Sequence, residues 1–519
     1  MTNYKKIFIY LFGLILSCMI FGGFTSNAAT SAAYDIRVGL KSSYSGKKLI
    51  TVYNSSVKVG YCINDSYKAE LVLNSKNGFS FEADNTQYYY ENEYFSSYSA
   101  AYKALQNLKL EGKNANICLC GRGKWRLYVS SSNKQSKVSY NTAKTAELIK
   151  LTFGNKSLLI DASEASAYPQ IKAGDNDRYI SLGSKKYRGR IEIGRYGNSG
   201  VTAVNIVNLE SYLKGVVTCE MNAGWESEAL KVQAVCARSY ALTLCSFTAD
   251  SNISKGYSIV DTDASQVYGG VNSETQAAVK AVNATSHEIM TTNGKPLATY
   301  YSSTSGGATD FSSDIWGGNS YNFVGVFDEY ETDPEKRPWC VSYKLSDLEK
   351  RLNAKGYPIS GITSIYPEII SDSGRISSLK IKYKGGSISI PGSKLRSLFD
   401  LPSTKFRVVM NDSDELFEIN IISSDGTEKE NPAFVNIISQ DGQIYNVQDT
   451  ATQLIVISSD NMTNFPISKP SENEVWFLGM GSGHGIGMSQ SGANGMAKKG
   501  FNYKEILYYY YKNAELSKY

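Results

Sequence analysis

Residues 207–242 contain the side chains best suited to chemistry. They read VNLESYLKGVVTCEMNAGWESEALKVQAVCARSYAL, and Glu220 lies where an apolar segment meets a loop, next to Met221 and close to Trp225. Partial burial among such neighbours raises the pKa of a carboxyl group, so that it stays protonated near neutrality. A protonated carboxyl group can donate its proton to a glycosidic oxygen as the bond breaks. These neighbours make Glu220 a candidate general acid, although by residue type alone a surface glutamate in a loop is the commoner case.

Two runs rich in glycine and hydroxyl groups are the next candidates for a binding site. They read YSSTSGG at 301–307 and GHGIGMSQ at 483–490. Glycine lets a backbone pass close to a ligand, and exposed N–H groups together with His484 could bind sugar hydroxyls or N-acetyl groups. The alternative for the second run is a tight structural turn in which Ser489 caps the following helix. The predicted substrate-binding residues are Trp225, Arg238, Ser302, Ser303, Thr304, Trp316, His484, Ser489 and Gln490.

Other reaction chemistries find less support in the sequence. A glycoside hydrolase needs a second carboxylate to activate water or attack the sugar. The candidates are Asp261, Asp263, Asp310 and Asp314, for which the sequence gives no distances. A serine-nucleophile triad is not expected, because the chain has no G-x-S-x-G motif and only two histidines. The scarcity of histidine and the lack of a C-x-x-C pair also argue against zinc, so no metal or cofactor is predicted.

The hydrophobic pattern predicts the elements that position Glu220. Leu209–Lys214 is typical of a short helix that Gly215 ends. A longer helix from Glu226 to about Leu244 would bury an apolar stripe with helical spacing. The stripe consists of Leu230, Ala234, Ala237 and Ala241. Arg238 lies near this stripe, so if it is buried it must pair with a carboxylate or a bound anion.

The rest of the chain alternates short strands with a few helices, which predicts an α+β fold. Residues 33–75 are typical of strands, and strands return at 155–208. Between them, 79–150 is predicted to be a small βαββ-like insertion whose helix is capped by Ser99. Residues 155–519 then form one large mixed domain of short strands and a few helices, to which the opening strands also belong.

The N-terminal segment predicts export. Lys5 and Lys6 precede an uncharged apolar run at 7–24, and small residues follow it. This is the pattern of a secretory signal at 1–28, although the run is also long enough for an uncleaved membrane anchor. A lipid anchor through Cys18 is less favoured, because the apolar run continues past it. The modest net charge of +5 argues against a dedicated nucleic-acid binder.

The motifs together resemble the stage II sporulation protein D family, also called SpoIID/LytB. The 207–242 run carries its signature, and further matches follow in the family's order across 155–519. They are YSSTSGGATD at 301–310, DIWGG at 314–318, SGRI at 373–376, LRSLFDLPSTKF at 395–406 and GHGIGMSQSGANGMAKKG at 483–500.

The 79–150 segment carries a resemblance of its own. FSSYSAAYKALQNL at 95–108 and WRLYV at 125–129 are similar to a SPOR-like module, a small domain associated with septal or denuded peptidoglycan. The alternative is an ordinary βαββ insertion that binds no ligand. The motif is loose and covers a small part of the chain.

The SpoIID/LytB resemblance implies a lytic transglycosylase that acts on peptidoglycan glycan strands. The acidic residue of the family's E-M motif falls on Glu220. It would protonate the bond between N-acetylmuramic acid and N-acetylglucosamine and then accept the proton of the muramyl C6 hydroxyl. The alternative is an amidase enhancer, which binds cell wall and stimulates an N-acetylmuramoyl-L-alanine amidase without cutting glycan. Both imply a chain on the extracellular face, secreted to the wall or anchored by an N-terminal membrane helix, with an amidase or other wall hydrolases of sporulation or division as possible partners.

Two departures from the family pattern bear on activity. Many members have a histidine just before the S-T-S-G-G run, whereas Ser302, preceded by Tyr301, stands here. Some sporulation members hold zinc with cysteine and histidine, and His287 stands alone in this sequence, which predicts a structural role for it. These losses leave Glu220 in place but reduce the support for full enzymatic activity.

Overall fold

The computed structural model describes most of the chain after residue 33. The described ranges are 34–63, 66–112, 114–129, 141–143, 147–163, 167–246, 256–313, 324–331, 338–411 and 470–519, with the backbone of strands between 419 and 466. The predicted signal at 1–28 and two predicted site residues, Asp314 and Trp316, lie outside them. The site lies within the unit Ile36–Tyr519.

Two large sheets contain most of the strands in the first half of the chain. Among the described strands, one sheet has seven, in the spatial order Ile259–Val260, Asp35–Gly39, Thr202–Asn208, Arg190–Gly194, Gln170–Ala173, Ser56–Ile63 and Ser66–Asn74. The other has ten, in the order Lys185–Tyr187, Ile180–Leu182, Leu49–Val52, Phe79–Ala83, Leu148–Phe153, Lys156–Asp161, Ala115–Gly121, Lys124–Val129, Tyr89–Tyr90 and Asn141–Thr142. Thr202–Asn208 is buried almost throughout, as expected for a strand with an almost continuous apolar run.

Smaller sheets follow in the second half. One joins Lys295–Pro296, Glu288–Thr292 and Glu515–Lys518; the next joins Pro338–Lys344, Glu474–Met480 and Phe406–Met410; a third joins Ile362–Ile370, Ile376–Tyr383 and Gly386–Pro391. Hairpins pair Ile419–Ser423 with Gly426–Glu430, Asn436–Ile438 with Ile444–Asn446, and Gln453–Ile457 with Met462–Pro466. The two-residue strands Tyr301–Ser302 and Met488–Ser489 pair in parallel, which brings the two predicted binding runs together.

One long helix forms the centre of the first hydrophobic core. The helices are α1 (Tyr98–Leu110), α2 (Leu209–Lys214), α3 (Val217–Glu220), α4 (Ser227–Ser246), α5 (Gln276–Ala284), α6 (Leu345–Ala354), α7 (Gly392–Phe399), α8 (Gln490–Lys498) and α9 (Tyr503–Tyr510), with a 3-10 turn at Gly270–Ser273. The predicted stripe of α4 is buried, and so are Val232, Val235 and Cys236 on its other faces. They are buried because α5, α8, α9 and the strand Glu288–Thr292 pack around α4.

A second hydrophobic core is formed by buried residues from the part of the chain between positions 339 and 477. It collects buried residues from α6, α7 and the two three-stranded sheets of that region. The first core joins both large sheets to α4 and the C-terminal helices. Within the described residues, no helix has the combination of length and apolar character needed to cross a bilayer.

The predicted α+β class is confirmed, and most helix bounds agree closely with the prediction. The bounds of α2 are those predicted, and α4 begins one residue later than expected. The predicted cap of α1 is wrong: Ser97, not Ser99, is the N-cap. Ser97 has extended backbone with φ −153° and accepts the N–H of Ala100 at 3.2 Å, whereas Ser99 is already inside the first turn.

The 79–150 segment has the predicted order of strand, helix and hairpin. The elements are Phe79–Ala83, α1, Ala115–Gly121 and Lys124–Val129. They do not form a sheet of their own, because Phe79–Ala83 pairs with the opening strand Leu49–Val52 and Ala115–Gly121 pairs with Lys156–Asp161. The ten-stranded sheet is therefore continuous from the opening strands through this segment. A ligand for the segment stays a prediction.

Candidate active site

Glu220 is the last residue of α3, a single helical turn that follows α2. The N–H of Gly215 bonds to the carbonyl of Tyr212 at 2.9 Å and closes α2. Val217 and Met221, on either side of Glu220 along the chain, are buried in the core. These two anchors hold the backbone, while the Glu220 side chain is half-buried.

Two groups from other segments of the chain act on the Glu220 carboxylate. The N–H of Val267 donates to Oε1 at 2.6 Å, and the hydroxyl of Tyr301 is near enough to lower the pKa of Glu220. Burial raises the pKa of Glu220; the contacts from Val267 and Tyr301 lower it, and the charge of Asp263 raises it, with a net rise. Burial therefore favours the protonated form of a carboxyl group that a backbone hydrogen bond holds in position.

Tyr301 connects Glu220 to the glycine-rich run. Its hydroxyl donates to Oε1 of Gln266 at 2.9 Å, and Gln266 is itself buried and donates to the carbonyl of Ala237 at 3.3 Å. The single phenol proton can serve either Gln266 or Glu220 at one time. Through its backbone, Tyr301 pairs with Met488 in the short parallel sheet. The two predicted runs and the predicted acid therefore meet at this tyrosine.

His484 is a neutral imidazole at physiological pH. The N–H of Ile486 donates to its Nδ1 at 3.0 Å, so the neutral ring carries its proton on Nε2. Burial, followed by the charges of Arg396 and Arg375, lowers the pKa of His484 to about 3, and a hydrogen bond with the Tyr301 backbone opposes this shift. A histidine with so low a pKa is a polar contact rather than a proton carrier.

A groove of about 320 Å³ opens beside His484. Its lining consists of Gly392, Ser393, Arg396, Ser397, Asp400, Leu401, Thr404 and His484. The charge of Asp263 acts on both Arg396 and Glu220. The groove, called the His484 groove below, therefore lies on the same side of the molecule as the predicted acid.

Arg375 explains why glycine stands at position 485. Gly485 has φ +72°, and a Cβ atom there would lie 2.0 Å from Cζ of Arg375. The Arg375 guanidinium is fully buried and donates through Nη2 to the carbonyl of Ser305. Burial lowers the pKa of Arg375 to about 10, and the charges of Asp310 and Glu331 oppose this change. Arg375 thus holds the two glycine-containing runs against each other.

Glu331 fastens the same two runs through buried hydrogen bonds. The N–H groups of Ser305 and Gly307 donate to its carboxylate at 2.6 and 3.1 Å, and the Ser489 hydroxyl donates to it as well. Ser489 also accepts the N–H of Gly492 at 3.1 Å as the N-cap of α8. The capping alternative for Ser489 is confirmed, and its 0% exposure leaves no surface for a ligand.

The predicted hydroxyl residues at 302–304 serve mainly as structural links. Thr304 is fully buried and exchanges two backbone hydrogen bonds with Ser482, at 3.1 and 3.2 Å. The carbonyl of Ser303 accepts both the N–H and the hydroxyl of Ser491, at 3.0 and 2.9 Å. Ser302 is buried in the short parallel strand. Only Ser303 of the three keeps partial exposure.

Arg238 and Gln490 lie in the interior, away from the groove. Nε and Nη2 of Arg238 donate to the two oxygens of Glu210 at 2.6 and 2.9 Å. Arg238 therefore takes the carboxylate, the first of the two alternatives that its burial left open. Gln490 is buried and donates to Oε1 of Gln233 at 3.2 Å. Trp225 is half-buried against the core in the loop that follows Glu220.

Asp263 is the described candidate for a second carboxylate whose charge reaches Glu220. It is exposed, and its charge acts on the Glu220 carboxyl. Asp261 is buried and accepts a serine hydroxyl at 2.5 Å. Asp310 is also buried and accepts a serine hydroxyl at 2.8 Å. The last two are committed to structure.

His287 lies in a different environment from His484. It has φ +64°, its Nδ1 is 2.8 Å from the Ser286 hydroxyl, and its ring packs on Tyr519 with centroids 5.3 Å apart. Within the described ranges, no group of three or more histidine, cysteine, aspartate or glutamate side chains is arranged to hold a metal ion.

Several residues of this site do not stand out in the sequence. They are Gln266, Val267, Asp328, Glu331, Arg375 and Arg396. Arg375 lies within the SGRI run and Arg396 within the LRSLFDLPSTKF run. Their position in these family motifs is the sequence signal that could have identified them. The others lie between the quoted motifs, and long-range contacts alone bring them to the site.

Asp328 gives the stability of these loops a pH dependence. Burial, then the charge of Glu331, raises the pKa of Asp328 to about 7. This folded-state pKa lies above the unfolded value of about 4. The contribution of protonated Asp328 to the free energy of unfolding is therefore fully present below pH 4 and is lost as pH rises through 7. At pH 8 we expect the free energy of unfolding of Asp328→Asn to be larger than that of wild type by on the order of 2 kcal/mol. At pH 4 we expect no such difference.

Urea unfolding at the two pH values measures this difference. The matched control is Asp263→Asn, which changes an exposed carboxylate and should leave the pH response unchanged. If Asp328→Asn and wild type lose stability in parallel between pH 4 and pH 8, the titration of Asp328 is not its source.

The fold and the site define a class: an α+β protein with a carboxyl group of raised pKa beside a polar surface groove, suited to acid/base work on an uncharged bond. Comparison with known proteins narrows this class. Residues 197–292, which include Glu220 and α4, match the family model described as SpoIID, stage II sporulation protein.

Three relatives extend the similarity beyond that region. An uncharacterized protein of Brachyspira hyodysenteriae (strain ATCC 49526 / WA1) is 26% identical over 425 residues, or 82% of this chain and 96% of that protein. The amidase enhancer of Bacillus subtilis (strain 168) is 29% identical over 311 residues, or 59% of this chain and 40% of that protein. Stage II sporulation protein D of the same strain is 24% identical over 326 residues, or 61% of this chain and 76% of that protein. This chain therefore spans less than half of the amidase enhancer's length.

The family-model match and the relatives named amidase enhancer and stage II sporulation protein D support the predicted similarity of this chain to the SpoIID/LytB family. The matched region contains the residue predicted to be the acid and one of the groups that hold it, Val267.

Proposed function

We propose that this chain is an exported peptidoglycan lytic transglycosylase that uses Glu220 as its single acid/base residue. It would cleave between N-acetylmuramic acid and N-acetylglucosamine in glycan strands stripped of stem peptides, with 1–28 directing export. The observation that carries the proposal is the half-buried Glu220 carboxyl, whose pKa burial raises and whose position Val267 holds. The match to the SpoIID family model and the relative named stage II sporulation protein D support a role in the cell wall.

The proposed reaction has two proton transfers at one carboxyl group. Protonated Glu220 donates to the glycosidic oxygen as the C1–O bond breaks, which leaves N-acetylglucosamine with a free 4-hydroxyl. The muramyl C6 hydroxyl then bonds to C1 and returns a proton to Glu220, so a 1,6-anhydro ring forms and no water is consumed. The Val267 N–H and the Tyr301 hydroxyl stabilise the carboxylate between the two transfers.

Because Asp263 lies near the acid, hydrolysis must be distinguished experimentally from the proposed transglycosylase reaction. An exposed carboxylate near the acid could activate water. Mass spectrometry of fragments released from peptide-stripped glycan separates the two reactions, because a 1,6-anhydromuramyl end is lighter than a reducing end by one water. We expect anhydro ends from both wild type and Asp263→Asn. Reducing ends alone would replace the transglycosylase by a hydrolase.

Removal of the Tyr301 hydroxyl should move the pH profile of cleavage. This hydroxyl lowers the pKa of Glu220, so Tyr301→Phe raises that pKa further. Activity needs the protonated acid and falls as pH rises through its pKa, so the midpoint of the alkaline limb should shift upward by about 0.7 pH unit. Tyr300→Phe, at the neighbouring phenol, is the matched control and should leave the midpoint in place. An unchanged or lower midpoint in Tyr301→Phe would exclude this contact from the catalytic state.

A second candidate function is a non-catalytic amidase enhancer. The relative named amidase enhancer supports it, and so does the loss of the histidine that many members carry before S-T-S-G-G. In that case the chain sediments with purified wall and stimulates an N-acetylmuramoyl-L-alanine amidase. It produces no new glycan ends, and Glu220→Gln leaves the stimulation unchanged. The 79–150 segment would then add affinity for the wall.

A further inference from the structure

The His484 groove has the properties of a site for an anionic group. Arg396 projects from α7, and its one hydrogen bond within the described chain joins Nε to the carbonyl of Pro402 at 3.2 Å. Its two terminal nitrogens have no partner among the described residues. Pro402 also accepts the N–H of Gly483 at 2.9 Å, so the guanidinium lies against the loop that carries His484. Arg396 as a whole keeps substantial exposure.

The first turn of α7 adds to the positive potential of the groove. Gly392 and Ser393 line the groove at the N-terminus of this helix. Pro391 is the N-cap and provides no side-chain hydrogen bond, so the first N–H groups of α7 lack a side-chain cap. Uncapped N–H groups at a helix N-terminus favour a negative charge.

A buried hydroxyl without a partner is the independent sign of a ligand. Thr404 lines the groove, is 2% exposed, and its Oγ1 has no hydrogen-bond partner in the described chain. A buried hydroxyl in this state costs free energy unless a ligand or water satisfies it. The acidic residue in the lining, Asp400, is neutralised by Arg351 at 2.5 Å. Among the lining residues, Arg396 is therefore the charge without an ion-pair partner in the described chain.

The groove is close enough to Glu220 to bind the same sugar chain. Asp263 acts electrostatically on both Glu220 and Arg396, and the His484 ring bonds to the backbone of Tyr301, whose hydroxyl reaches Glu220. Glycan hydroxyls and N-acetyl groups carry no charge. A cationic subsite beside the acid therefore selects a carboxylate on the substrate.

We propose that Arg396, Thr404 and the first turn of α7 form a carboxylate-binding subsite that positions peptidoglycan for Glu220. This inference rests on the proposed function. Two sources supply such a carboxylate: the lactyl group of a muramic acid without its stem peptide, or the terminal carboxylate of a stem peptide. A guanidinium and helix N–H groups bind either through charge-assisted hydrogen bonds.

Binding to three glycan probes tests the subsite. The full chain carries Glu220→Gln to prevent turnover, and calorimetry measures its Kd for peptide-stripped glycan, for the same glycan with its lactyl carboxyls converted to methylamides, and for glycan that retains its stem peptides. We expect Arg396→Gln to weaken binding of a carboxylate-bearing probe by about tenfold, as one charge-assisted hydrogen bond predicts. The methylamide probe should bind weakly with or without Arg396.

Lys394→Gln is the matched control for Arg396→Gln. Lys394 lies on the same helix, and its ammonium sits over the Tyr357 ring at 6.0 Å rather than in the groove. The same change of charge there should leave every Kd unchanged. Arg396 dependence with stripped glycan assigns the lactyl carboxylate, and Arg396 dependence confined to stem-bearing glycan assigns the peptide carboxylate. Both results support the subsite.

Two failures are distinguishable. If Arg396→Gln binds all three probes as tightly as its parent, the subsite is overturned while wall binding stands. If none of the probes binds the parent chain, the proposed function fails together with the subsite.

Discussion

Glu220→Gln should abolish the release of 1,6-anhydro ends, with a fall in rate of about 10³-fold, because a positioned general acid contributes 10²–10⁴-fold. Glutamine keeps the shape of the side chain, and its carbonyl oxygen can still accept the Val267 N–H that bonds Oε1 at 2.6 Å. The fold is therefore retained, and what is lost is the proton that the carboxyl group donates. Fragment mass spectrometry of digested peptide-stripped glycan measures the ends released per enzyme.

Glu226→Gln is the control for this change. Glu226 lies in the same loop region and is exposed, so the same substitution there should leave the rate within about twofold of wild type, as for a surface residue. Affinity for glycan should be similar in all three proteins. If Glu220→Gln released anhydro ends at the wild-type rate, the acid would have to be another residue and Glu220 a structural one.

The elements around Glu220 were largely predictable because local patterns determine them. The apolar spacing of α4 predicts both its existence and its buried stripe. Gly215 ends α2, as the sequence predicts, and Asn502 with Glu505 forms a capping box at α9. Each of these features depends on residues within one or two helical turns of each other. The pattern of a few neighbouring residues is then sufficient.

The contacts that give Glu220 its environment could not be predicted in the same way. Val267 donates to Glu220 from a loop with no motif, and Tyr301 reaches it because a two-residue strand pairs with Met488, far away in the chain. A short strand has too few residues for its hydrophobic pattern to specify a partner. Burial of Glu220 was therefore predictable from its apolar neighbours, whereas the identity of the groups that hold it was not.

The hydroxyl-rich runs show the converse error. Serine and threonine beside glycine were assigned to the substrate because small polar residues suit sugar binding, yet Thr304 and Ser489 are buried. Their hydrogen bonds satisfy backbone groups of the two loops and the carboxylate of Glu331. A residue type that can bind sugar can equally satisfy a tight turn. Only burial distinguishes these roles, and burial here depends on a carboxylate outside either motif.

Glu210→Gln should cost about 3 kcal/mol of the free energy of unfolding, because it removes the partner of a fully buried charge. Arg238 is 0% exposed and bonds both oxygens of Glu210 at 2.6 and 2.9 Å. Glutamine keeps one acceptor but no charge, so the guanidinium stays buried without its counter-ion. The backbone carbonyl of Glu288, at 2.9 Å from Nη1, satisfies one donor but not the charge.

The pair between Arg188 and Glu274 is a matched control within the same chain. It has the same two-pronged geometry, with both distances 2.6 Å, but Arg188 is 37% exposed and water can solvate its charge. Glu274→Gln should therefore cost 1 kcal/mol or less, as is typical of exposed pairs. Urea unfolding of the two variants at one pH measures the contrast. Equal losses of free energy of unfolding would show that burial of Arg238 does not strengthen its ion pair. A larger loss for Glu274→Gln would show that the exposed pair contributes more to stability than the buried one. The predicted order follows from solvation alone, since charge, geometry and substitution are the same in both pairs.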